Sequence, residues 1–437
     1  MSTIAFYTLG CKVNQADTAS MEEIFRKAGY TIVPFGNDAE IYLINTCVVT
    51  NIGQRKSRQI INRVVRFHPD SLLVITGCYP QTAHEEVRAI KGVDVIIGNR
   101  ERGRIVELVE MALKYKQNEI LDDVQQLTVD TKFEELGVGT KTNKTRGFLK
   151  IQEGCNQFCS YCIIPYARGP LRSRSLEGIR EEVGKLVAAG YKEVVLIGIH
   201  LGCYGKEQNN LTLFDAVEAA LSNKGVSRLR LGSLESVEVE PRLLDLMASE
   251  PRLCRHLHLP LQSGCDKILR AMHRPYDTNR FKELLDTIRS KVPLIAITTD
   301  IIVGFPGETE KDFEDTLNFV KKCAFAKMHI FPYSRRQGTL AASMPGQVPE
   351  IVKKERTARL ISLDKDMHNT ALRSLIGKEE EVLFEQPIDD KHIEGLCSSY
   401  MRVVATGGRE LAGEIRKVRL YGLSGEYLLG ELKNSVT

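Results

Sequence analysis

From residue 1 to about 113 one pattern repeats: a short apolar run, then a longer stretch with apolar residues every three or four positions. The runs are Ile4–Thr8, Ile41–Ile44, Leu72–Ile75 and Val93–Ile97. Helical periodicity falls near Asp17–Ala28, Ile52–Phe67, Ala83–Ile90 and Arg102–Lys114. This alternation predicts an α/β unit with a parallel sheet covered on both faces. Residues 115–143 break the pattern; they are polar, acidic in their first part (Asp122, Asp123, Asp130, Glu134, Glu135), and predict a linker. A second alternation runs from Gly147 to about Leu375, with strands at Phe148–Gln152, Val194–Ile199, Arg228–Leu231, His256–Leu261, Ile295–Val303 and Lys327–Pro332. Six strand–helix units predict an open, partial barrel. From Gly377 the pattern changes to short strands and Gly-rich turns (EEEVLFEQ, YMRVVAT, LAGEIRKVRLYGLS, GEYLLGEL), which predict a small all-β barrel.

The chemistry is carried by cysteines. Cys155, Cys159 and Cys162 follow the first barrel strand in GCNQFCSYC, at the carboxyl-end face where barrel enzymes keep their active sites. Thiolates this close suit an iron–sulfur cluster, and three ligands instead of four leave one iron open to substrate. A structural zinc site needs a fourth ligand, and neither a second C-x2-C nor an H-x3-H is present. A disulfide framework is unexpected in a long chain with eleven cysteines and no signal peptide. The C-x3-C-x2-C spacing, with Tyr161 before the third cysteine, resembles the radical S-adenosylmethionine (SAM) enzymes.

Three further cysteines each follow an N-terminal strand: Cys11 (YTLGC), Cys47 (LINTC) and Cys78 (VITGC). In a parallel sheet such positions share one edge, so residues distant in sequence meet on a single rim. That predicts a second three-thiolate site, against the alternative of three unrelated buried cysteines.

Composition sets the outer limits. A chain of 437 residues predicts two or three domains. The 43% hydrophobic and 27% charged content is ordinary for a soluble protein. No apolar run of about eighteen residues predicts a membrane span, and MSTIAFYTLGCKVNQ lacks the form of a secretory signal. Free thiols with a cluster point to the reducing cytoplasm. The net charge of +4 says little by itself, but its distribution is uneven. Lys141, Lys144, Arg146, Lys150, Arg168, Arg172 and Arg174 face only one acid, Glu153, between residues 141 and 174. The helix after Cys47 carries Arg55, Lys56, Arg58, Arg63 and Arg66 without an acid. Both stretches adjoin cluster loops and are expected to meet nucleic acid phosphates, with a solvated helix face as the alternative. The last segment, Leu375–Thr437, is acidic, with eight basic against eleven acidic residues. Arg402, Arg409, Arg416, Lys417 and Arg419 are expected to gather on one of its faces.

Together TLGCKVNQADT, LINTCVVTN, VITGCYPQ, GCNQFCSYCIIPYARGPLRSR, HLPLQSGCDKILRAM and TDIIVGFPGET resemble the methylthiotransferase family across both larger domains. The resemblance implies a flavodoxin-like N-terminal domain over 1–114, a linker over 115–143, a partial (β/α)6 radical SAM barrel over 144–374 and a TRAM domain over 375–437. It implies two 4Fe–4S clusters, one on Cys155, Cys159 and Cys162 and an auxiliary one on Cys11, Cys47 and Cys78. One SAM would methylate a sulfur at the auxiliary cluster; another would yield the radical that removes hydrogen from the substrate carbon. GCKVNQADT resembles the branch that acts on N6-threonylcarbamoyladenosine beside the anticodon (position 37) of ANN-decoding tRNA. The isopentenyl-adenosine branch more often reads GCQMN, and the branch acting on a ribosomal protein aspartate GCAKNR. An external donor such as flavodoxin or ferredoxin would supply electrons. SAM contacts are expected from Tyr161 and from the strand ends at His200, Ser233, Glu235, Gln262, Ser263 and Gly304. Cys203, Cys254, Cys265, Cys323 and Cys397 lack partner spacing and read as structural. A cobalamin-dependent methyltransferase is set aside because residues 1–113 hold no D-x-H-x-x-G. A non-catalytic iron–sulfur tRNA-binding protein would need only one cluster and no SAM cleavage.

Overall fold

The computed structural model describes residues 2–115, 119–140, 144–208 and 211–433. Lys141, counted above among the basic residues, lies outside them. Among the described residues, six parallel strands form the first sheet: β1 (Thr3–Thr8), β2 (Thr31–Val33), β3 (Ile41–Thr46), β4 (Leu72–Gly77), β5 (Val95–Ile97) and β6 (Leu121–Asp123). Their order is β2-β1-β3-β4-β5-β6. Strand β3 is buried along its whole length, as a central strand covered on both faces must be. The two strands at the sheet edges, β2 and β6, escape the sequence reading. Each has three residues, and β6 reads LDD, with no apolar alternation to detect.

Helix α1 (Lys12–Lys27) begins directly after Cys11, five residues before the expected start. Its first turns bury Asn14, Asp17 and Thr18 beside Val13 and Ala16, so its buried face is partly polar and shows no apolar stripe. The stretch read as a linker is held down. It contributes β6, Glu134 bonds Arg102, the Phe133 ring lies against Lys150 and Arg174, and Val138 enters the barrel core.

The second unit has two parallel three-stranded sheets: β7 (Arg146–Lys150), β8 (Glu193–Ile197) and β9 (Arg228–Leu231), then β10 (His256–His258), β11 (Ala296–Val303) and β12 (Lys327–Pro332). Parallel bridges Leu229↔Leu253 and Ser233↔His258 join them into one curved wall, the partial barrel expected. Val194 and Leu196 of β8 belong to the main barrel core; Val195 and Ile197 on its other face pack against Val13 and Ala16 of α1. The N-terminal unit thus covers part of the barrel's inner wall.

Helix Glu350–Arg373 leads to a closed barrel of five described strands: β13 (Glu379–Pro387), β14 (His392–Cys397), β15 (Arg402–Thr406), β16 (Ile415–Ser424) and β17 (Tyr427–Leu432). The sequence reading named four strand stretches and missed β14, whose HIEGLC is interrupted by Glu394 and Gly395. This barrel seals the lower end of the larger one. Arg228 donates to the Leu396 carbonyl, Arg230 to those of Cys397 and Ser398, and Tyr400 stacks on His256 at 4.7 Å. Its five basic residues do not share a face. Arg416 alternates with Lys417 along β16 and lies near Glu414, while Arg402 pairs with Glu394.

Candidate functional site

Cys11, Cys47 and Cys78 follow β1, β3 and β4 directly, and polar side chains lock their loops together. Asn14 donates to the carbonyls of Leu9 (2.7 Å) and Thr46 (2.9 Å). Thr46 donates to the Thr76 carbonyl at 2.6 Å and accepts from the Tyr79 amide. Ser57 of the helix Asn51–Phe67 bonds both the amide and the carbonyl of Cys47. Gly10 has φ +104°, and a side chain there would press on the Cys47 sulfur at 3.0 Å. Cys47 and Cys78 are buried and Cys11 is exposed, so the site opens on the Cys11 side.

The second set lies at the carboxyl end of β7. Gly154 turns the chain with φ +79°, and a Cβ there would fall 1.8 Å from the Pro170 carbonyl oxygen. Only glycine fits. The loop is pinned by Cys155 N–H to the Gly169 carbonyl (2.9 Å), Ser160 N–H to the Met272 carbonyl (3.1 Å) and Cys162 N–H to the Cys159 carbonyl (2.9 Å).

Both sets look made for charged sulfur. Arg168 donates to the Cys78 sulfur at 3.3 Å and Asn99 lies 3.7 Å from it. Arg274 donates to Cys159 at 3.2 Å; the His200 ring and the Gln157 amide each lie 3.4 Å from the Cys155 sulfur. Burial pushes the Cys47 thiol up to about 11 and the Cys162 thiol up to about 12. Left as thiols these groups stay protonated near neutral pH, whereas the thiolate is the form that binds metal. Converging donors beside thiols that need a cation to ionise fit an iron–sulfur cluster in each place.

The two sets are joined through one arginine. Cys162 leads into the short helix Ile164–Arg168, and the guanidinium at its end is wholly buried. Arg168 pairs with Asp17 (3.0 Å) and with Glu153, and bonds Asn14 and the Cys78 sulfur. Around it Arg102 pairs with Asp17 (2.7 Å), Glu134 (2.9 Å) and Glu153 (3.2 Å), and Lys150 with Asp17 and Glu153. Burial alone would raise the Asp17 and Glu153 carboxyls, but these cations hold both below the ordinary range. Arg174 pairs with Glu135, and Arg172 donates to the carbonyls of Arg168 and Pro170. The cluster of positive charge read as a phosphate-binding loop is therefore an internal ion network: Lys150, Arg168, Arg172 and Arg174 are all buried. The other basic stretch keeps its surface. Arg55, Lys56, Arg58, Arg63 and Arg66 are exposed, with Arg58 alone near an acid, Glu86 at 3.7 Å.

The residues expected to hold SAM fall into different places. His200 lies between the Cys155 sulfur and Glu238, 2.9 Å from its carboxylate. Burial works against its charge, but Cys155, Cys203 and Glu238 outweigh it and push His200 up to about 12. Glu235 pairs with Arg274, which also bonds Tyr276 and Cys159. Gln262 bridges to β11 with φ +67°, and Ser233 is exposed at the strand end. The Ser263 hydroxyl is taken by the Cys265 amide and Thr316, away from the crevice. Tyr161 packs with Met272, Phe305, Tyr333 and Ala341. Gly304 sits against the Lys353 stem, and its amide meets Glu308. The sulfur contacts of Arg168, Asn99 and Arg274 escaped the sequence reading, which took Arg168 for a phosphate-binding residue, because nothing local marks an arginine or an asparagine as a partner of sulfur. Cys203 donates to Glu238 at 2.8 Å and receives Lys206 at 3.2 Å, so Glu238 in the His200–Cys203–Glu238 group faces both an imidazole and a lysine.

Three thiols on a loop at the carboxyl end of a partial barrel define a radical SAM enzyme, and the chain matches the radical SAM superfamily over residues 149–320. Residues 3–98 match an uncharacterized protein family, UPF0004. The chain is 40% identical over 427 residues to the threonylcarbamoyladenosine tRNA methylthiotransferase MtaB of Bacillus subtilis, covering 96% of this chain and 94% of that one. It is 33% identical over 439 residues to the tRNA-2-methylthio-N(6)-dimethylallyladenosine synthase of Moorella thermoacetica, covering 98% of each. A solved radical SAM methyltransferase, TsrM of Kitasatospora setae, shares the fold at TM-score 0.55 and 14% identity, over 76% of this chain and 75% of that one. The chain belongs to the radical SAM tRNA methylthiotransferases of the MtaB type, enzymes that use SAM and 4Fe–4S clusters.

Proposed function

We propose that this enzyme adds a methylthio group to carbon 2 of N6-threonylcarbamoyladenosine beside the tRNA anticodon. In this reading Cys155, Cys159 and Cys162 hold the SAM-cleaving cluster, and Cys11, Cys47 and Cys78 a second, sulfur-donating one. The observation that carries it is the pair of three-thiol sites joined through Arg168, in a chain 40% identical to an enzyme named for that substrate. The clusters and SAM, once bound, supply the electron, the radical and the methylthio group.

What the chain's own residues supply is position and charge. His200 and Arg274 set positive charge beside Cys155 and Cys159, and Arg168 and Asn99 aim donors at Cys78. α1 closes part of the barrel's inner wall, which leaves the reacting carbon a restricted space between the sites. The exposed bases of the helix after Cys47 suit phosphates of the anticodon arm. Phe158 and Tyr166, exposed and in edge contact at 5.8 Å on the radical-cluster loop, offer ring faces to neighbouring bases. An external flavodoxin or ferredoxin as electron donor and a cytoplasmic location belong to the same reading.

Nucleoside mass spectrometry of total tRNA from a strain lacking the gene tests it. Loss of the methylthio-threonylcarbamoyl nucleoside, with its precursor accumulating, is the expected result. An unchanged profile refutes the substrate and directs attention to dimethylallyladenosine.

A further inference from the structure

One cation at the site rests on an aromatic ring and has no carboxylate partner among the described residues. Lys12 opens α1 next to Cys11, and its side chain is exposed. Carboxylates on the elements around it are committed elsewhere: Asp17 to Arg102, Lys150 and Arg168, Asp300 to His258 at 3.2 Å, and Glu193 to Arg228 and Arg230. No described carboxylate pairs with the Lys12 ammonium.

An unpaired lysine on an open surface is ordinary. This one is directed into the barrel interior, toward Tyr400 at its closed end. Its Nζ stands 5.8 Å from the Tyr400 ring centroid, and Arg146 and Arg230 approach the same ring at 5.7 and 4.9 Å. Its charge reaches His256 and His329 as well and works against protonation of both imidazoles. His329 and Phe331, alternate residues of β12, are exposed on the same strand face, so the wall there borders open space. A positive group beside a cluster cysteine, facing that space, lacks only an anion.

We propose that Lys12 recognises the threonine carboxylate of the substrate's threonylcarbamoyl group, which makes it a specificity-determining residue. The proposal rests on the substrate reading above and adds the group that reads it. Carbon 2 and the N6 substituent flank the same pairing edge of adenine. A base that presents carbon 2 to the Cys11 side of the auxiliary site therefore brings its N6 substituent past the neighbouring residue. An isopentenyl substituent has no charge for the lysine to meet; a threonylcarbamoyl substituent ends in a carboxylate.

The test uses cluster-loaded full-length enzyme matched for iron, and two anticodon stem-loops: one with threonylcarbamoyladenosine, one with its threonine carboxyl converted to the primary amide. Methylthio product is followed by mass spectrometry to give kcat and KM. The amide should raise the wild-type KM roughly 10- to 100-fold, the range of one charge-assisted hydrogen bond. Lys12→Gln should raise KM for the acid by a similar factor, show no preference between acid and amide, and leave the KM for SAM in place. Lys12→Arg should recover most of the discrimination. Equal use of acid and amide by wild type overturns the proposal, as does a Lys12→Gln loss that is the same on both RNAs. A change confined to the KM for SAM overturns it too, because the anion met is then the carboxylate of SAM. Wild type that modifies neither stem-loop refutes the substrate itself; wild type that modifies both alike refutes Lys12 alone.

Discussion

Replacing Arg168 by Met removes a charge from the centre of the molecule while keeping most of its volume. The guanidinium is fully buried and meets Asp17, Glu153, Asn14 and the Cys78 sulfur. Breaking a buried ion pair by deleting one partner costs about 3–5 kcal/mol, because the remaining charge is stranded. Here Arg102 and Lys150 stay on both carboxylates, which argues for the lower end, about 3 kcal/mol. That is a large share of a domain stability of about 5–15 kcal/mol. Urea unfolding of the iron-free protein should show it as a lower midpoint for wild type minus Arg168. Asp17→Asn should partly relieve it, since a neutral partner no longer needs the cation; a coupling of about 1–3 kcal/mol between the two substitutions is expected. In the loaded protein the same variant should release iron to a chelator faster, having lost a donor to Cys78. An Arg168→Met protein within about 0.5 kcal/mol of wild type, or strictly additive substitutions, would refute the network as a stabilising element.

Cys159→Ala should abolish formation of 5′-deoxyadenosine, whereas Cys47→Ala should retain SAM cleavage and yield no methylthio product; normal product from Cys47→Ala would remove the second site from the mechanism. Gly154→Ala must hold a left-handed φ with its Cβ against the Pro170 oxygen, so it should cost well over about 1 kcal/mol and lower iron per chain, as unfolding curves and iron assay would show. Arg274→Gln withdraws a cation from Cys159 and should shift the reduction potential of the loaded radical cluster downward in an electron-paramagnetic-resonance titration. Glu193 is held low despite burial by Arg230 and Arg228; its stabilisation is complete above the unfolded carboxyl value of about 4.3 and lost as pH falls through the folded one. Acid unfolding of the barrel should be blunted in Glu193→Gln, and an unchanged pH profile would exclude this pair as its cause.

The strands that build the two larger sheets were legible because buried parallel strands are continuous apolar runs, as β3, β4 and β8 are. Cys11, Cys47 and Cys78 each follow such a run, which is why the sequence could place them on one sheet edge; Cys155, Cys159 and Cys162 stood out by their spacing alone. Edge strands β2 and β6 lack the run, and the start of α1 is concealed by buried polar residues whose partners lie far along the chain. Charge was the poorest guide. Arg168, Arg172 and Arg174 read as an RNA-facing loop, yet their counter-charges come from Asp17, Glu135 and Glu153, drawn from separate segments. Whether a basic residue faces water or an internal acid is decided by tertiary contacts that no local pattern encodes.

The same network bears on how two reactive centres are kept apart yet usable. If Cys11, Cys47 and Cys78 hold the sulfur donor proposed above, that site has to be close and fixed, because a carbon radical must meet its donor before anything else quenches it. From Ile164 to Arg168, the helix directly after Cys162, the chain advances roughly 6 Å at helical rise, and the Arg168 side chain then ends on the Cys78 sulfur. Asn99, next to β5, bonds both the Ala167 carbonyl and that sulfur, so a second tie runs from the same short helix to the same cysteine. The carboxylates that balance Arg168 come one from α1 and one from the cysteine loop itself, so the two halves share their counter-charges. Sliding one half past the other would strand buried charge on both, at a cost of several kcal/mol. The barrel and the N-terminal sheet are therefore tied into one frame that holds the two three-thiol sets at a fixed separation.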